Sequence, residues 1–139
     1  MIQRQSTCVA IGDRAVLIEG APGSGKSALA LELIDRGALL IGDDSVELKV
    51  AEGLLLAHPH PRTRGLLEVR NLGLLSFPVC GQAAVRLVIL LDSEAPRFID
   101  EPQEIVIEGV RLPLLGLWPG VAPLAIKVEL AMARYGLPG

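Results

Sequence analysis

Hydrophobic residues along the chain fall into short runs and alternations, with helical periodicity in only two places. Cys8-Val9-Ala10-Ile11 and Ala15-Val16-Leu17-Ile18 are apolar runs of strand character. Gly12-Asp13-Arg14 between them is a turn, so the pair reads as a hairpin. Apolar residues then cover almost the whole circumference of a helix from Ser27 to Arg36, which predicts that it is well covered. Gly37 supplies its C-terminal cap, and Arg36 complements the dipole. Leu39-Leu40-Ile41-Gly42 is a buried strand reached by that helical crossover, so it should run parallel to the strand before the helix and lie beside it.

Val46 to Val50 and Leu54 to Ala57 flank Ala51-Glu52-Gly53 as a second hairpin. His58 to Arg62 reads as an irregular, Pro-rich surface loop. In Leu66 to Arg70 the alternation puts Leu66, Glu68 and Arg70 on one face and Leu67 and Val69 on the other. Asn71 to Leu75 has no clear period, and Gly81-Gln82 marks a turn. Arg86 to Asp92 is a central strand with β-branched residues, ending in an acid. Ile105 to Ile107 and Val110 to Leu112 form a further hairpin, with Pro113 ending the ladder. Ala122 to Tyr135 is a closing helix, with Pro123 early and Gly136 as cap.

Two helices among many short strands predict an α/β domain with a mixed, strand-rich sheet rather than a doubly wound parallel one. At 139 residues the chain is expected to be one domain, 1–139. Half of it is hydrophobic but only 3% is aromatic, so the core must be built from Leu, Val, Ile and Ala. A net charge of −3 argues against a dedicated nucleic-acid binder, which usually carries a basic face. Cys8 and Cys80 lie far apart in no metal-binding pattern and read as reduced thiols of a cytoplasmic protein. No apolar run reaches the roughly 18 residues of a membrane span, and the first residues carry no signal core.

The chemistry centres on Gly20-Ala21-Pro22-Gly23-Ser24-Gly25-Lys26-Ser27, a complete G-x-x-x-x-G-K-[ST] phosphate-binding loop between a strand and a helix. Its glycines let backbone N–H groups approach phosphate oxygens, and the helix that follows offers the positive end of its dipole. Lys26 would neutralise β- and γ-phosphate charge, and Ser27 would reach a magnesium ion. Asp43 and Asp44 end a strand, where α/β sheets bind ligands; one could ligate the metal while the other takes a proton. Asp92 competes with them, because an apolar strand ending in an acid is a common magnesium site. Glu68 and Arg70 share a face and could serve a metal and a phosphate, or be an ordinary exposed pair. His58 and His60 read as surface residues, and Trp118 as packing.

In this order the motifs resemble the catalytic domain of the HPr kinase/phosphorylase family. That family reads roughly as a strand, G-x-S-G-x-G-K-S, a helix ending in R-G, D-D-x-V, the signature L-E-[IV]-R-G-L-G, and a late stretch leading into a C-terminal helix. The matching pieces are Gly20 to Ser27, Leu31 to Gly37, Asp43 to Val46, Leu67 to Gly73 and Leu112 to Met132. The chain looks most like a short form without the N-terminal domain of the long enzymes.

The resemblance implies a P-loop fold related to phosphoenolpyruvate carboxykinase. It implies a kinase that uses ATP and magnesium to phosphorylate a serine of the phosphocarrier HPr, and in many members removes that phosphate by phosphorolysis. Carried over by position, Lys26 contacts phosphates, Ser27 ligates magnesium and Asp43 is the general base. Asp44 and Glu68 support the metal, and Arg70 lies near the phosphates. The long enzymes are homo-oligomers; the sequence leaves that open for a shorter chain.

The chain departs from the family at several places. Gln5 stands where the family has a histidine, which weakens the case for phosphorolysis. Pro22-Gly23 replace the usual loop serine, and Asp44-Ser45 replace Asp-Arg. The segment Phe77 to Arg86 is short, and a late Arg-Asn is missing at Pro119 to Ala122. Two other readings stay open: a nucleotide-sensing module that does not transfer phosphate, and a generic P-loop NTPase or small-molecule kinase that uses Asp92.

Overall fold

The computed structural model describes residues 1–139. Eleven strands and two helices follow in the order β1 (Ile2–Arg4), β2 (Thr7–Ile11), β3 (Arg14–Gly20), α1 (Lys26–Asp35), β4 (Leu39–Gly42), β5 (Val46–Ala51), β6 (Leu54–Pro59), β7 (Leu66–Val69), β8 (Gly73–Ser76), β9 (Ala83–Leu91), β10 (Gln103–Ile107), β11 (Val110–Leu117) and α2 (Leu124–Tyr135). The main sheet has nine strands, with β1-β5-β6-β9-β3-β2-β4 as its path; β11 also joins β9 and carries β10. It is mixed: β3, β9 and β11 are parallel neighbours, and the other pairings are antiparallel.

The crossover through α1 does produce parallel strands, but β3 and β4 are not neighbours. The β2 strand is inserted between them, antiparallel to both. The hairpin partner of β3 already occupies its free edge, so the crossover passes over it. The carboxyl ends of β3 and β4 still point to the same end of the sheet.

Sheet order and chain order together force a curl. Only Gln5-Ser6 separate β1 from β2, and only Asp43-Asp44-Ser45 separate β4 from β5, although each pair lies near opposite ends of the path. The sheet bends until its ends approach. Side chains inside the curl include Cys8, Leu17, Ile41, Leu48, Leu55 and Val88. The other face packs Val9, Val16, Ile18, Leu87 and Ile89 against Leu29 and Leu33 of α1 and Val128 and Met132 of α2. Strand alternation sorts residues between these cores. A bulge at Arg86, where Ala15 faces Val85 but Val16 faces Leu87, lets Val85 and Leu87 serve opposite cores.

Several local features differ from the sequence reading. His58-Pro59 belong to β6, paired with Val46-Glu47, rather than to a loop. Asn71 to Leu75, aperiodic in sequence, contributes β8, which closes a separate two-stranded sheet with β7. Pro113 lies inside β11 instead of ending it; β11 meets β9 only from Leu114 on, so the missing N–H at Pro113 interrupts no ladder on that edge. The α1 helix is buried along Leu29, Ala30 and Leu33 rather than all round; Ala28 and Leu31 face clefts.

Candidate functional site

The strand β3 delivers the glycine-rich loop, and the loop delivers α1. A Cβ at Gly20 would press on Leu91 of β9 and on the Ser24 hydroxyl, so this exit from the sheet requires glycine. Gly23 and Gly25 have positive φ of 80° and 102°, which orient the loop backbone before the helix. Gly25 is the N-cap residue and no side chain caps the helix. The first N–H groups of α1 are left for a ligand or water, and the buried Ser24 hydroxyl has no partner either. The Lys26 ammonium folds back to donate to the Gly20 carbonyl at 3.0 Å and lies 3.9 Å from Asp44.

Asp43 is the most connected side chain in this region. The Ser27 hydroxyl donates to its Oδ1 at 2.6 Å, and Thr7 Oγ1 donates to the same oxygen at 3.2 Å. Its Oδ2 accepts the backbone N–H of Glu68 at 3.2 Å. The carboxylate thus joins the loop's helix, β2 and β7. Thr7 is fully buried and does more: its Oγ1 also accepts the backbone N–H of Asp44 at 3.3 Å. Asp44 has a left-handed φ of 60°, an uncommon conformation outside glycine, and its carboxylate is exposed. A Cβ at Gly42 would collide with the Ser45 carbonyl, so the Asp43-Asp44 turn is also a place where only glycine fits beforehand.

Two clefts flank the loop on this side. A polar one of about 370 Å³ is lined by Gln5, Thr7, Lys26, Ser27, Asp43 and Asp44, together with Glu68. The second, about 510 Å³, is lined by Lys26, Ser27, Leu31, Glu68, Val69 and Arg70. Lys26, Ser27 and Glu68 border both, so Lys26, Asp43, Asp44, Glu68 and Arg70 reach one continuous region, which Asp92 does not join. Arg70 gets there from the turn after β7 rather than from the strand itself. Gln5 lies in the polar cleft beside the aspartates, where the resemblance puts a histidine.

Below the loop, Arg4 grips Glu19 in a two-pronged ion pair, with Nη2 to Oε1 at 2.6 Å and Nε to Oε2 at 3.1 Å. Burial alone would raise the Glu19 pKa. The Arg4 hydrogen bonds, the Ser6 hydroxyl and the charges of Arg4 and Lys26 outweigh it and hold the carboxyl below its ordinary value. The Arg4 guanidinium is correspondingly raised by its hydrogen bond to Glu19. Neither residue stood out in the sequence, because the pairing spans two strands that are not neighbours. Thr7 was missed for a similar reason: a threonine at a strand start carries no signal until β2 is seen between β3 and β4.

Other candidates lie elsewhere. Asp92 follows β9 but lines neither cleft; its Oδ1 accepts the Glu94 N–H at 2.9 Å, closing a local turn. His60 Nε2 lies 4.0 Å from Glu47, and Trp118 donates to the Ala95 carbonyl at 2.6 Å, a packing role. Cys8 and Cys80 are free thiols; burial, with the nearby Cys80 and Glu19, raises the Cys8 thiol far above its usual range. No His, Cys, Asp or Glu cluster of three converges on one point. No helix is long and apolar enough to cross a membrane.

Comparison with known proteins gives a consistent result. Residues 1–92 match the family model of the HPr Serine kinase C-terminal domain. The HPr kinase/phosphorylase of Clostridium novyi is 36% identical over 137 residues, covering 88% of this chain and 45% of the relative. That of Caldicellulosiruptor bescii is 39% identical over 145 residues, covering 94% and 46%. The chain therefore spans about half the length of the curated relatives it matches. Among solved structures, the Hpr(Ser) kinase/phosphatase from Coxiella burnetii superposes with a TM-score of 0.85 at 26% identity, covering 96% of this chain and 95% of that one. A mixed, strand-rich α/β fold, an ordered motif set and two independent kinds of likeness agree, and the chain belongs to the HPr kinase family.

Proposed function

We propose that this chain is an ATP- and magnesium-dependent protein-serine kinase whose acceptor is HPr, the small phosphocarrier of the sugar phosphotransferase system, acting in the cytoplasm. The observation that carries the reading is Asp43: its carboxylate is hydrogen-bonded to the loop serine and faces a polar cleft open to solvent. A base must lie within reach of both the phosphate site and the incoming hydroxyl, and this position satisfies both.

The residues fit a nucleotide. Uncapped N–H groups at the start of α1, the unpartnered Ser24 hydroxyl and the Lys26 ammonium form a donor set suited to an anion. They support the finer reading of Gly20 to Ser27 as a P-loop in a phosphoenolpyruvate carboxykinase-like fold. Magnesium typically takes one or two carboxylates and completes its shell with phosphate and water, which suits Ser27, Asp44 and Glu68 without a protein-only cage. Bound ATP with magnesium supplies the transferable phosphoryl group and offsets its charge. Lys26 then neutralises phosphate oxygens, Arg70 contributes from the neighbouring cleft, and Asp43 accepts the proton of the serine hydroxyl. Thr7 holds the Asp43-Asp44 turn during that transfer.

The test is direct. The chain incubated with magnesium, ATP and HPr should label one serine, and Asp43→Asn should lower the rate about 100- to 10,000-fold while nucleotide binding persists. A wild-type protein that transfers nothing, or an Asp43→Asn variant as fast as wild type, removes the reading. Gln5 favours a second reading. An amide in the polar cleft carries no titratable proton at neutral pH, so phosphorolysis should be weak, and a nucleotide-sensing module without transfer remains the alternative. Tight ATP binding with no transfer at any HPr concentration selects that alternative.

A further inference from the structure

The β7–β8 hairpin has two unlike faces. One is anchored: Leu67 is fully buried, and Val69 and Phe77 pack on the helix-side core. The other is unpartnered. Leu72 is 72% exposed and Leu74 67%, and neither touches another part of the chain that would hide it. They are not loose. The Leu72 N–H donates to the Val69 carbonyl at 3.0 Å, Asn71 takes the left-handed φ of 73° that the tight turn needs, and Leu74 is in register opposite Glu68.

That register matters. Directly opposed residues in an antiparallel pair share a face with their Cβ atoms about 5 Å apart, so Leu74 stands beside Glu68, which borders both clefts. Leu72 follows Arg70, which lines the second cleft. The leucines thus form an apolar rim continuous with the proposed catalytic region. A small metabolite would be contained by the polar cleft and would not reach this rim. A macromolecular acceptor has to cross it to bring a hydroxyl to Asp43.

Charge narrows the partner further. The net charge of the whole chain is −3, yet Arg62 to Arg70 carries three arginines against one glutamate. Arg62, Arg64 and Arg70 are exposed, and none forms an ion pair within the chain. Arg70 shares the turn with Leu72, and Arg62 and Arg64 lie in the turn before β7, so exposed cations without an ion pair bracket the hairpin and complement a partner surface that is apolar at its centre and acidic around it.

We propose that the exposed face of the β7–β8 hairpin, with Leu72 and Leu74 on it and Arg62 and Arg64 at the end where the chain enters β7, forms the docking surface for the protein acceptor. It fits an acceptor with an apolar side chain near the target serine and an excess of carboxylates around it. The proposal rests on the protein-kinase reading and deepens it.

The test uses the full chain, purified HPr, and two variants outside the catalytic residues: Leu72→Ser/Leu74→Ser and Arg62→Ala/Arg64→Ala. Both should raise KM for HPr about tenfold with kcat and nucleotide affinity unchanged, and the arginine variant should lose much of the salt dependence of KM. A KM within about twofold of wild type for both variants overturns the proposal. So does a wild-type oligomer that the leucine variant dissociates in sedimentation, since the rim would then join copies of this chain. If the wild type transfers no phosphate, the kinase reading fails separately, and calorimetric titration with HPr decides the surface: binding lost in the leucine variant supports it, and binding that is absent or unaltered overturns it.

Discussion

Asp43 has three donors, and the least obvious of them is Thr7. One hydroxyl holds two consecutive residues: it donates to the Asp43 carboxylate and accepts the N–H of the left-handed Asp44. Thr7→Val keeps the shape and removes both bonds. Each buried bond is worth about 1 kcal/mol, so transfer should fall roughly tenfold or more through kcat, with KM for ATP little changed. Thr7→Ser should restore most of it. A Thr7→Val enzyme with wild-type kcat would show that Thr7 only fills space. The sequence pointed to Lys26 and Ser27 by motif spacing, to Asp43 and Asp44 as acids at a strand end, and to Glu68 and Arg70 by strand alternation and the family resemblance, and the fold brings these residues to adjoining clefts. It concealed Thr7 and Glu19, whose partners depend on strand neighbours that no local pattern encodes.

Individual elements explain why the site is held firmly at its base. The Arg4–Glu19 pair ties β1 to the end of β3, one residue before the loop. The Glu19 carboxyl sits below its ordinary value of 4.5 in the fold. The pair therefore stabilises the protein above that pH, and its contribution disappears as the pH falls through the lower folded-state value. Arg4→Met should lower Tm at neutral pH by the equivalent of about 1 kcal/mol, and the gap from wild type should close in acid. Melts at several pH values check this; a gap that widens in acid would contradict it. Hairpins β2–β3 and β5–β6 were legible because turn residues announce them, as Glu52 and Gly53, both at positive φ, do for the second. The β8 strand was not, since all four of its residues are exposed and no burial pattern marks them. The covered helix was overestimated for the opposite reason: Ala28 is exposed and Leu31, though packed at the edge of the core, is only half-buried, and both line clefts.

At the scale of the molecule, the mixed α/β character was readable from two helical periods among many short apolar runs. The curl was not, because it arises from how far apart in the sheet consecutive strands lie. Placing β1 next to β2 in the chain but at opposite ends of the path leaves two short connections, Gln5-Ser6 and Asp43 to Ser45, to span the gap. Both connections border the polar cleft. A ligand there acts as a clasp on a bracelet: it grips the two ends of the sheet at once. Nucleotide binding should then slow amide exchange not only in the loop but in β1 and β4, the strands at those ends, more than in the central β9. Hydrogen-exchange measurements with and without ATP would read this, and protection confined to Gly20 to Ser27 would refute it. On this account an empty site leaves the fold's perimeter its least fastened part, so the nucleotide proposed for the cleft would also set how tightly the protein is shut.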